Sequence, residues 1–232
     1  MAAVASAPHP DTGVRRRFQQ RLLRWYAVHR RDLPWRKTDD PYHILVSEVM
    51  LQQTQVDRVI PKYHEFLLRY PTFERLARAR PADVKRTWFP LGYNIRPVRL
   101  QGIARETLAR YGGRLPDDAD ALRSMTGIGP YTAGAILAFA YRRNAALVDT
   151  NVRRVLGRIF LGPRRLRRLR GQRAMWDLAR ALVPRRRAYD YNQALMDFGA
   201  TWCTARAPRC STCTMKTLCA SYPHPGGNNG RA

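Results

Sequence analysis

Apolar residues recur at helical spacing along most of the chain, and convincing strand alternation is absent. The stretch 16–30 shows the pattern among charged residues, with apolar side chains at Phe18, Leu22, Leu23, Trp25 and Tyr26. Further on, Asp40 followed by Pro41 is a typical helix start, with an N-cap and a proline in the first turn, and predicts a helix over 42–59. The sequence therefore predicts an all-α protein.

Prolines divide the following part into short predicted helices; they are Pro61, Pro71, Pro81, Pro90 and Pro97. A second basic and helical part ends in a helix near 191–200 and contains the arginine-rich run 164–170, which we expect to be a solvated loop. Residues 1–14 and 223–232 are rich in Ala, Pro, Gly and Asn, and we expect disordered termini there.

The charge balance points to a polyanionic partner. Among 232 residues, 42 are Lys or Arg, all but four of them Arg, and 17 are Asp or Glu, which gives a net charge of +25. A merely solvated basic surface is the alternative. The apolar stretch around 133–141 is shorter than the roughly 20 residues that span a bilayer, and residues 1–10 show no signal peptide. We expect a soluble, cytoplasmic protein that does not bind membranes.

All four cysteines lie within 17 residues, separated by six, two and five positions, at Cys203, Cys210, Cys213 and Cys219. Four thiolates this close suit a tetrahedral zinc ion or a 4Fe-4S cluster, and the residues alone leave both open. Two disulfides are disfavoured because nothing else indicates an oxidising compartment. Arg206 and Arg209 lie between the first two cysteines, where a bound metal would fix them on a loop suited to phosphates.

Residues 122–134 are typical of two helices joined by a tight glycine turn. Gly127 and Gly129 allow positive φ and close approach of a ligand, and the N–H groups that begin the second helix suit a phosphate. An ordinary connection between helices is the alternative.

Two carboxylates stand in apolar surroundings. Glu48 shares its helical face with Ile44, Leu45 and Leu51. Burial there would raise its pKa and suit it to act as a general acid, although a buried ion pair with an arginine is the alternative. Asp149 follows an apolar run and has the position of a helix N-cap, which would leave its carboxylate at a surface.

From about Leu33 to Cys219 the sequence resembles the catalytic domain of adenine DNA glycosylases, in the helix-hairpin-helix superfamily of endonuclease III. The matching stretches are 33–36, 47–56, 127–134, 149–152, 192–197 and the cysteine spacing. The resemblance implies a six-helix barrel lobe over 31–142 with the hairpin at 122–137, and a cluster lobe from 15–30 plus 143–222. It also implies a 4Fe-4S cluster on the four cysteines and double-stranded DNA with a mismatched or damaged base in the cleft between the lobes.

The resemblance assigns chemistry to four residues. Glu48 would protonate the departing base and help to activate water, and Asp149 would stabilise the sugar cation or trap it covalently. Tyr131 and Asn151 would assist them. Cleavage of an N-glycosidic bond needs such an acid and such an anion. Relatives that also cut the DNA backbone carry a lysine at the position of Tyr131, so we expect no strong lyase activity.

Other positions match residues that contact DNA in these enzymes. Gln53 matches the residue that wedges into the base stack as the target base is flipped out, and Tyr93 matches a second intercalating residue. Trp35, Arg36, Leu51 and Gln193 match the base pocket, with ordinary packing as the alternative. The remaining candidates are Gln52, Thr54, Asn94, Gly127, Gly129 and Thr132.

The excised base stays open between two classes. The block 51–54 favours adenine opposite guanine or 8-oxoguanine, whereas Asn94 and Thr150 look more like endonuclease III and the thymine mismatch glycosylases, which act on T:G and U:G pairs. Adenine glycosylases carry a C-terminal domain that reads 8-oxoguanine, and we expect this chain to lack it. A non-catalytic, cluster-bearing DNA-binding protein is the remote alternative. We expect a monomer associated with the nucleoid.

Overall fold

The computed structural model describes residues 10–168 and 172–224, and the regular elements in those residues are all helical, which confirms the all-α prediction. The α-helices are α1 (Thr12–His29), α2 (Pro41–Leu51), α3 (Val56–Arg69), α4 (Phe73–Arg78), α5 (Pro81–Trp88), α6 (Ile95–Tyr111), α7 (Ala119–Ser124), α8 (Pro130–Ala135), α9 (Thr150–Leu156), α10 (Gly162–Arg168), α11 (Arg173–Leu182) and α12 (Ala188–Thr201). Helices α8 and α9 continue as π-helical turns, and 3₁₀ turns occupy Pro34–Arg36 and Lys216–Leu218. Within the same residues, no helix is long and apolar enough to cross a membrane.

Side-chain caps fix several helix starts. Asp11 accepts a hydrogen bond from the Val14 N–H at 2.9 Å, so α1 begins at Thr12. Residues 12–14, expected to be disordered, are therefore helical because a cap satisfies a free N–H group there. The rest of the expected disorder at the two ends lies outside the described residues except at positions 10, 11, 223 and 224.

The helix expected over 42–59 is in fact two helices. Asp40 caps its start as expected, accepting from the Tyr42 N–H at 2.7 Å. The helix ends at Leu51, because Gln52 is extended and Gln53 has a φ of 57°. Pro61, expected to divide helices, lies inside α3. No glycine or proline marks the break at 52–55, so local sequence alone does not indicate it.

The arginine-rich run, expected to be a loop, is helical as far as Arg168, and residues 169–171 lie outside the described part of the chain. Leu166 packs on the core beside Gly157, where a Cβ atom would come within 2.7 Å of the leucine side chain. One apolar anchor among the arginines thus holds this segment against the protein.

Contacts divide the chain into two compact units. The inserted unit is Asp32–Arg143, and the discontinuous unit is Met1–Arg31 with Asn144–Ala232. In the inserted unit, α2 packs on α3, α8 and its π-helical extension, and α6 packs on α4 and α5. The large side chains fully buried in that unit include Ile44, Leu45, Met50, Phe66, Trp88, Leu100 and Ile103.

The discontinuous unit joins the two ends of the chain. Helix α12 packs on α1 and α9, and α9 packs on α11. Its core includes Phe18, Leu22, Leu156, Met175, Tyr191 and Phe198. Arg31, at the end of the first segment, pairs with the buried Asp197 of α12 at 2.7 Å. Both segments of this unit are therefore needed to complete one core.

Candidate active site and metal centre

Glu48 lies in the last turns of α2 with only 3% of its surface exposed. This helix is buried on nearly all sides, and its buried apolar residues include Ile44, Leu45, Val49 and Met50. The Glu48 carboxyl is therefore largely removed from water. The sequence-based expectation of a buried Glu48 is confirmed.

Two exposed turns of the inserted unit carry the residues expected to intercalate. Gln53 lies in the turn between α2 and α3 with a φ of 57°, and Tyr93 lies before α6 with a φ of 48°. Their neighbours Gln52 and Thr54 are partly buried, and Asn94 is exposed as the residue that precedes α6. Both turns therefore present side chains outward from an unusual backbone conformation.

The other candidates for the base pocket differ in exposure. Trp35 is 7% exposed and packs edge-on against the Tyr63 ring, with centroids 5.5 Å apart. Arg36 and Leu51 are partly buried, and Gln193 of α12 is 3% exposed. Trp35 thus has a clear packing role within the inserted unit, whatever else it contacts.

The predicted helical hairpin is present in α7 and α8. Gly127 has a φ of 100°, and Gly129 precedes Pro130 at the start of α8. Thr132 is buried, whereas Tyr131 is partly buried in the first turn of α8. One carboxylate also reaches this turn, since the Thr126 N–H donates to Glu106. The positive φ explains the glycine at 127, because other residues adopt that conformation at a cost.

Asp149 caps α9 and belongs to a chain of hydrogen bonds. Its two oxygens accept from the Val152 N–H at 2.6 Å and from Asn151 Nδ2 at 3.2 Å. Arg154 donates to Asn151 Oδ1 and to the Gly199 carbonyl, both at 2.7 Å. Burial raises the pKa of the Asp149 carboxyl above its ordinary value, while the hydrogen bonds and Arg154 oppose that shift. The carboxylate is held in one orientation by partners that favour its charged form.

The same arginine reaches the cysteine region, since Arg154 Nε donates to the Cys203 carbonyl at 2.9 Å. Sequence reasoning missed Arg154 and also Arg96, which is buried beneath the two exposed turns. Among 38 arginines neither stands out, and the one available signal is that each lies three residues after a predicted site residue, Asn151 or Tyr93.

The four cysteines line one open pocket of the discontinuous unit. Burial, together with the neighbouring cysteines, raises the pKa of Cys213 to about 11, and burial also raises the pKa of Cys219. Arg158 ties down the loop after Cys203 by donating to the Thr204 and Ala205 carbonyls at 2.7 and 2.9 Å.

The four thiols share one pocket without a preformed site for a single ion. In residues 10–168 and 172–224, no three His, Cys, Asp or Glu side chains are grouped so as to hold a metal ion. Four cysteines suit a zinc ion or a 4Fe-4S cluster, so the kind of metal rests on the resemblance of the cysteine spacing.

Helices α7 and α8, joined by a tight turn with glycine at a positive φ, form a helix-hairpin-helix arrangement. The family model described as "HhH-GPD superfamily base excision DNA repair protein" matches residues 46–180. The chain belongs to this superfamily.

Its relatives include two kinds of glycosylase. The thymine/uracil-DNA glycosylase of Pyrobaculum aerophilum is 37% identical over 89% of this chain and 92% of its own length. The adenine DNA glycosylase of Mycobacterium tuberculosis is 41% identical over 95% of this chain and 74% of its own length. That of Rattus norvegicus is 40% identical over 90% of this chain, which spans only 42% of the rat protein.

A solved structure, of a thermostable thymine-DNA glycosylase, has a TM-score of 0.85 at 36% identity, over 90% of this chain and 97% of that one. The fold is therefore that of a helix-hairpin-helix DNA glycosylase.

Proposed function

We propose that this chain is a base-excision-repair DNA N-glycosylase that removes adenine opposite guanine or 8-oxoguanine and leaves an abasic site. The observation that carries the proposal is Glu48, a carboxyl buried in an apolar helix and placed one turn before the block 51–54. The 40–41% identity to adenine DNA glycosylases over at least 90% of the chain supports adenine as the base.

Glu48 is the general acid in this proposal. Adenine leaves the sugar readily only when a ring nitrogen takes up a proton as the C–N bond breaks, and the buried carboxyl of Glu48 is the donor in this proposal. After the base has left, the resulting carboxylate accepts a proton from the attacking water. Proton donation and water activation therefore use one group in succession.

Asp149 is the anion that stabilises the sugar. Loss of the base leaves positive charge on the sugar ring, and a fixed carboxylate stabilises that charge without reorganising. The Val152 N–H and Asn151 fix the carboxylate, which supports an assisting role for Asn151. Tyr131, in the first turn of α8, is the second assisting residue.

The DNA contacts follow from charge and exposure. A net charge of +25 favours binding to a polyanion, and the glycine turn at 127–129 suits one backbone phosphate. Gln53 and Tyr93 are exposed and intercalate as the base is extruded. Trp35, Arg36, Leu51 and Gln193 contribute to the base pocket, and we infer that the protein acts as a monomer on double-stranded DNA in the nucleoid.

The four cysteines hold a 4Fe-4S cluster in this proposal. The pocket that they share supports it, and Arg158 already orders the loop that follows Cys203. When bound, the cluster supplies a rigid cross-link between the end of α12 and the C-terminal segment, and no redox step is required. The raised pKa values mean that the thiols must lose protons when the metal binds.

Thymine or uracil opposite guanine is the second candidate substrate. The Pyrobaculum aerophilum thymine/uracil-DNA glycosylase matches over nearly its whole length, which favours this alternative, as do Asn94 and Thr150. Neither candidate needs a Schiff-base lysine, and position 131 is a tyrosine, so we propose that base release occurs without strand cleavage.

Single-turnover base release tests the proposal. The purified chain is mixed with duplexes carrying A:8-oxoguanine, A:G, T:G or U:G, and alkaline cleavage reveals abasic sites. Release of adenine supports the main proposal, and release of only thymine or uracil supports the second candidate. Binding of all four duplexes without any release, by protein that carries the cluster, contradicts the assignment of an enzyme.

A further inference from the structure

Arg96 is a buried cation of the inserted unit with six hydrogen-bond acceptors. It lies in the first turn of α6 with 3% of its surface exposed. Its Nη1 atom donates at 3.1, 2.8 and 2.5 Å to the carbonyls of Val49, Met50 and Gln52. Its Nη2 atom donates at 3.0, 3.1 and 3.1 Å to Thr54 Oγ1 and to the carbonyls of Leu91 and Gly92.

These acceptors belong to two separate turns. One set lies at the end of α2 and in the turn that holds Gln53, and the other lies immediately before Tyr93. Three described non-glycine residues have a positive φ: Gln53, Tyr93 and Arg142. Gln53 and Tyr93 are each adjacent to acceptors of Arg96. The guanidinium carbon also lies 5.4 Å from the centre of the Tyr93 ring. One guanidinium therefore joins the two turns.

Arginine is well suited to this position for two reasons. The last carbonyls of a helix lack partners within it and attract a cation, which accounts for the contacts at the end of α2. A planar guanidinium also donates in several fixed directions, whereas a lysine ammonium cannot serve two turns in the same geometry. A left-handed backbone at a non-glycine residue persists only where its surroundings hold it.

We propose that Arg96 is a positioning residue for base extrusion, fixing Gln53 and Tyr93 relative to each other so that both enter the base stack together. This inference rests on the proposed function, because that proposal makes these two side chains the intercalating residues. Arg96 touches neither the base nor the sugar in this role. Its loss acts on extrusion of the base and spares cleavage of the bond.

The experiment separates extrusion from excision. The purified protein carries Glu48→Gln, which prevents excision, and 2-aminopurine beside the target base of an A:G duplex reports unstacking by fluorescence. We expect Arg96→Lys to slow the fluorescence rise by about tenfold. In the background with Glu48, the same change slows excision of a paired adenine about tenfold. It alters excision of an adenine placed opposite an abasic site, where no pair must be broken, by less than twofold.

Two further variants keep the result interpretable. Thr54→Val removes one acceptor of Arg96 and is nearly isosteric. We expect it to slow the fluorescence rise by less than Arg96→Lys does, and it tests the inference even if Arg96→Lys fails to fold. Gln101→Leu is the matched control on α6, since buried Gln101 donates to the Leu76 and Ala79 carbonyls, away from both turns. We expect the control to leave the fluorescence rise unchanged.

The inference would be overturned if Arg96→Lys or Thr54→Val slowed excision of paired and unpaired adenine equally. It would also be overturned if the control Gln101→Leu slowed the fluorescence rise as much as Arg96→Lys does. A wild-type or Glu48→Gln protein that binds the duplex without any fluorescence rise would overturn it also. A normal fluorescence rise without excision by the protein that retains Glu48 contradicts only the proposed function. The effect of Arg96→Lys on the fluorescence rise then still decides the inference.

Discussion

The change Asp149→Asn separates the two roles of that residue. Asparagine caps helices about as well as aspartate, so the bond from the Val152 N–H is kept. The second oxygen becomes an amide that faces Asn151 Nδ2, a donor. The Asn151 amide cannot flip to present its oxygen as an acceptor, because Oδ1 already accepts from Arg154. One hydrogen bond is thereby lost, which costs about 1 kcal/mol of unfolding free energy, or roughly 2–4 °C in Tm for a protein of this size.

The effect on catalysis is far larger. Removing one preorganised electrostatic partner of a transition state slows reactions by about 10²- to 10³-fold. Single-turnover excision measures this rate, thermal melting followed by circular dichroism measures the stability, and a filter assay measures DNA binding. Asp11→Asn is the control, because Asp11 caps α1 in the same unit through a similar bond. Excision by Asp149→Asn within tenfold of wild type, or a stability loss beyond about 3 kcal/mol, refutes the reasoning.

The pH dependence of stability gives an independent check. Burial raises the pKa of Asp149 in the folded state above the ordinary value of 3.8. The folded protein then holds this proton to higher pH than the unfolded chain, so its contribution to stability falls as pH rises through that window. The amide of the Asp149→Asn variant carries no such proton. As pH rises above 3.8, we expect the unfolding free energy of the variant to increase relative to that of wild type. Urea unfolding at each pH measures both values.

Four further outcomes are expected. Glu48→Gln abolishes base release but leaves the Kd for duplex DNA within about threefold, as binding titrations show. Gly199→Ala places a methyl group 2.7 Å from Asn151 Cβ and destabilises the protein by about 1–3 kcal/mol in urea unfolding, whereas Gly102→Ala, at an open position of α6, does not. Cys213→Ser lowers the iron content and the DNA affinity together, by metal analysis and titration. Tyr131→Lys yields a covalent DNA adduct after borohydride reduction, and wild type yields none.

Local sequence signals account for much of the fold. Asp40 with Pro41 and the glycines of the hairpin act within a few residues, so their effects can be predicted without knowing the rest of the chain. The cysteine spacing and the matching stretches extended this to a family. The break at 52–55 is different, because distant Arg96 holds that turn across more than 40 residues of sequence. Tertiary contacts of this kind produce no periodic pattern in the sequence.

The candidate site shows the same division. Burial of Glu48 follows from its apolar neighbours on one helix, and the cap at Asp149 follows from its position. The partners that hold Asp149 are less accessible to such reasoning, since the Gly199 carbonyl and Cys203 carbonyl reach Arg154 from α12 and beyond. Which arginine among 38 makes those contacts depends on how α9 and α12 pack.

The discontinuous unit has a consequence for the order of synthesis. Helix α1 is synthesised before the other helices, yet it binds groups far along the chain: Gln19 donates to the Leu182 carbonyl and Arg21 donates to Thr217. The inserted unit ends at Arg143, so it is synthesised completely before the residues that α1 binds. Contacts across more than 160 residues of sequence close slowly. A nascent chain paused before α12 thus carries one finished unit and a helix α1 that lacks its packing partner α12, a form exposed to chaperones and proteases.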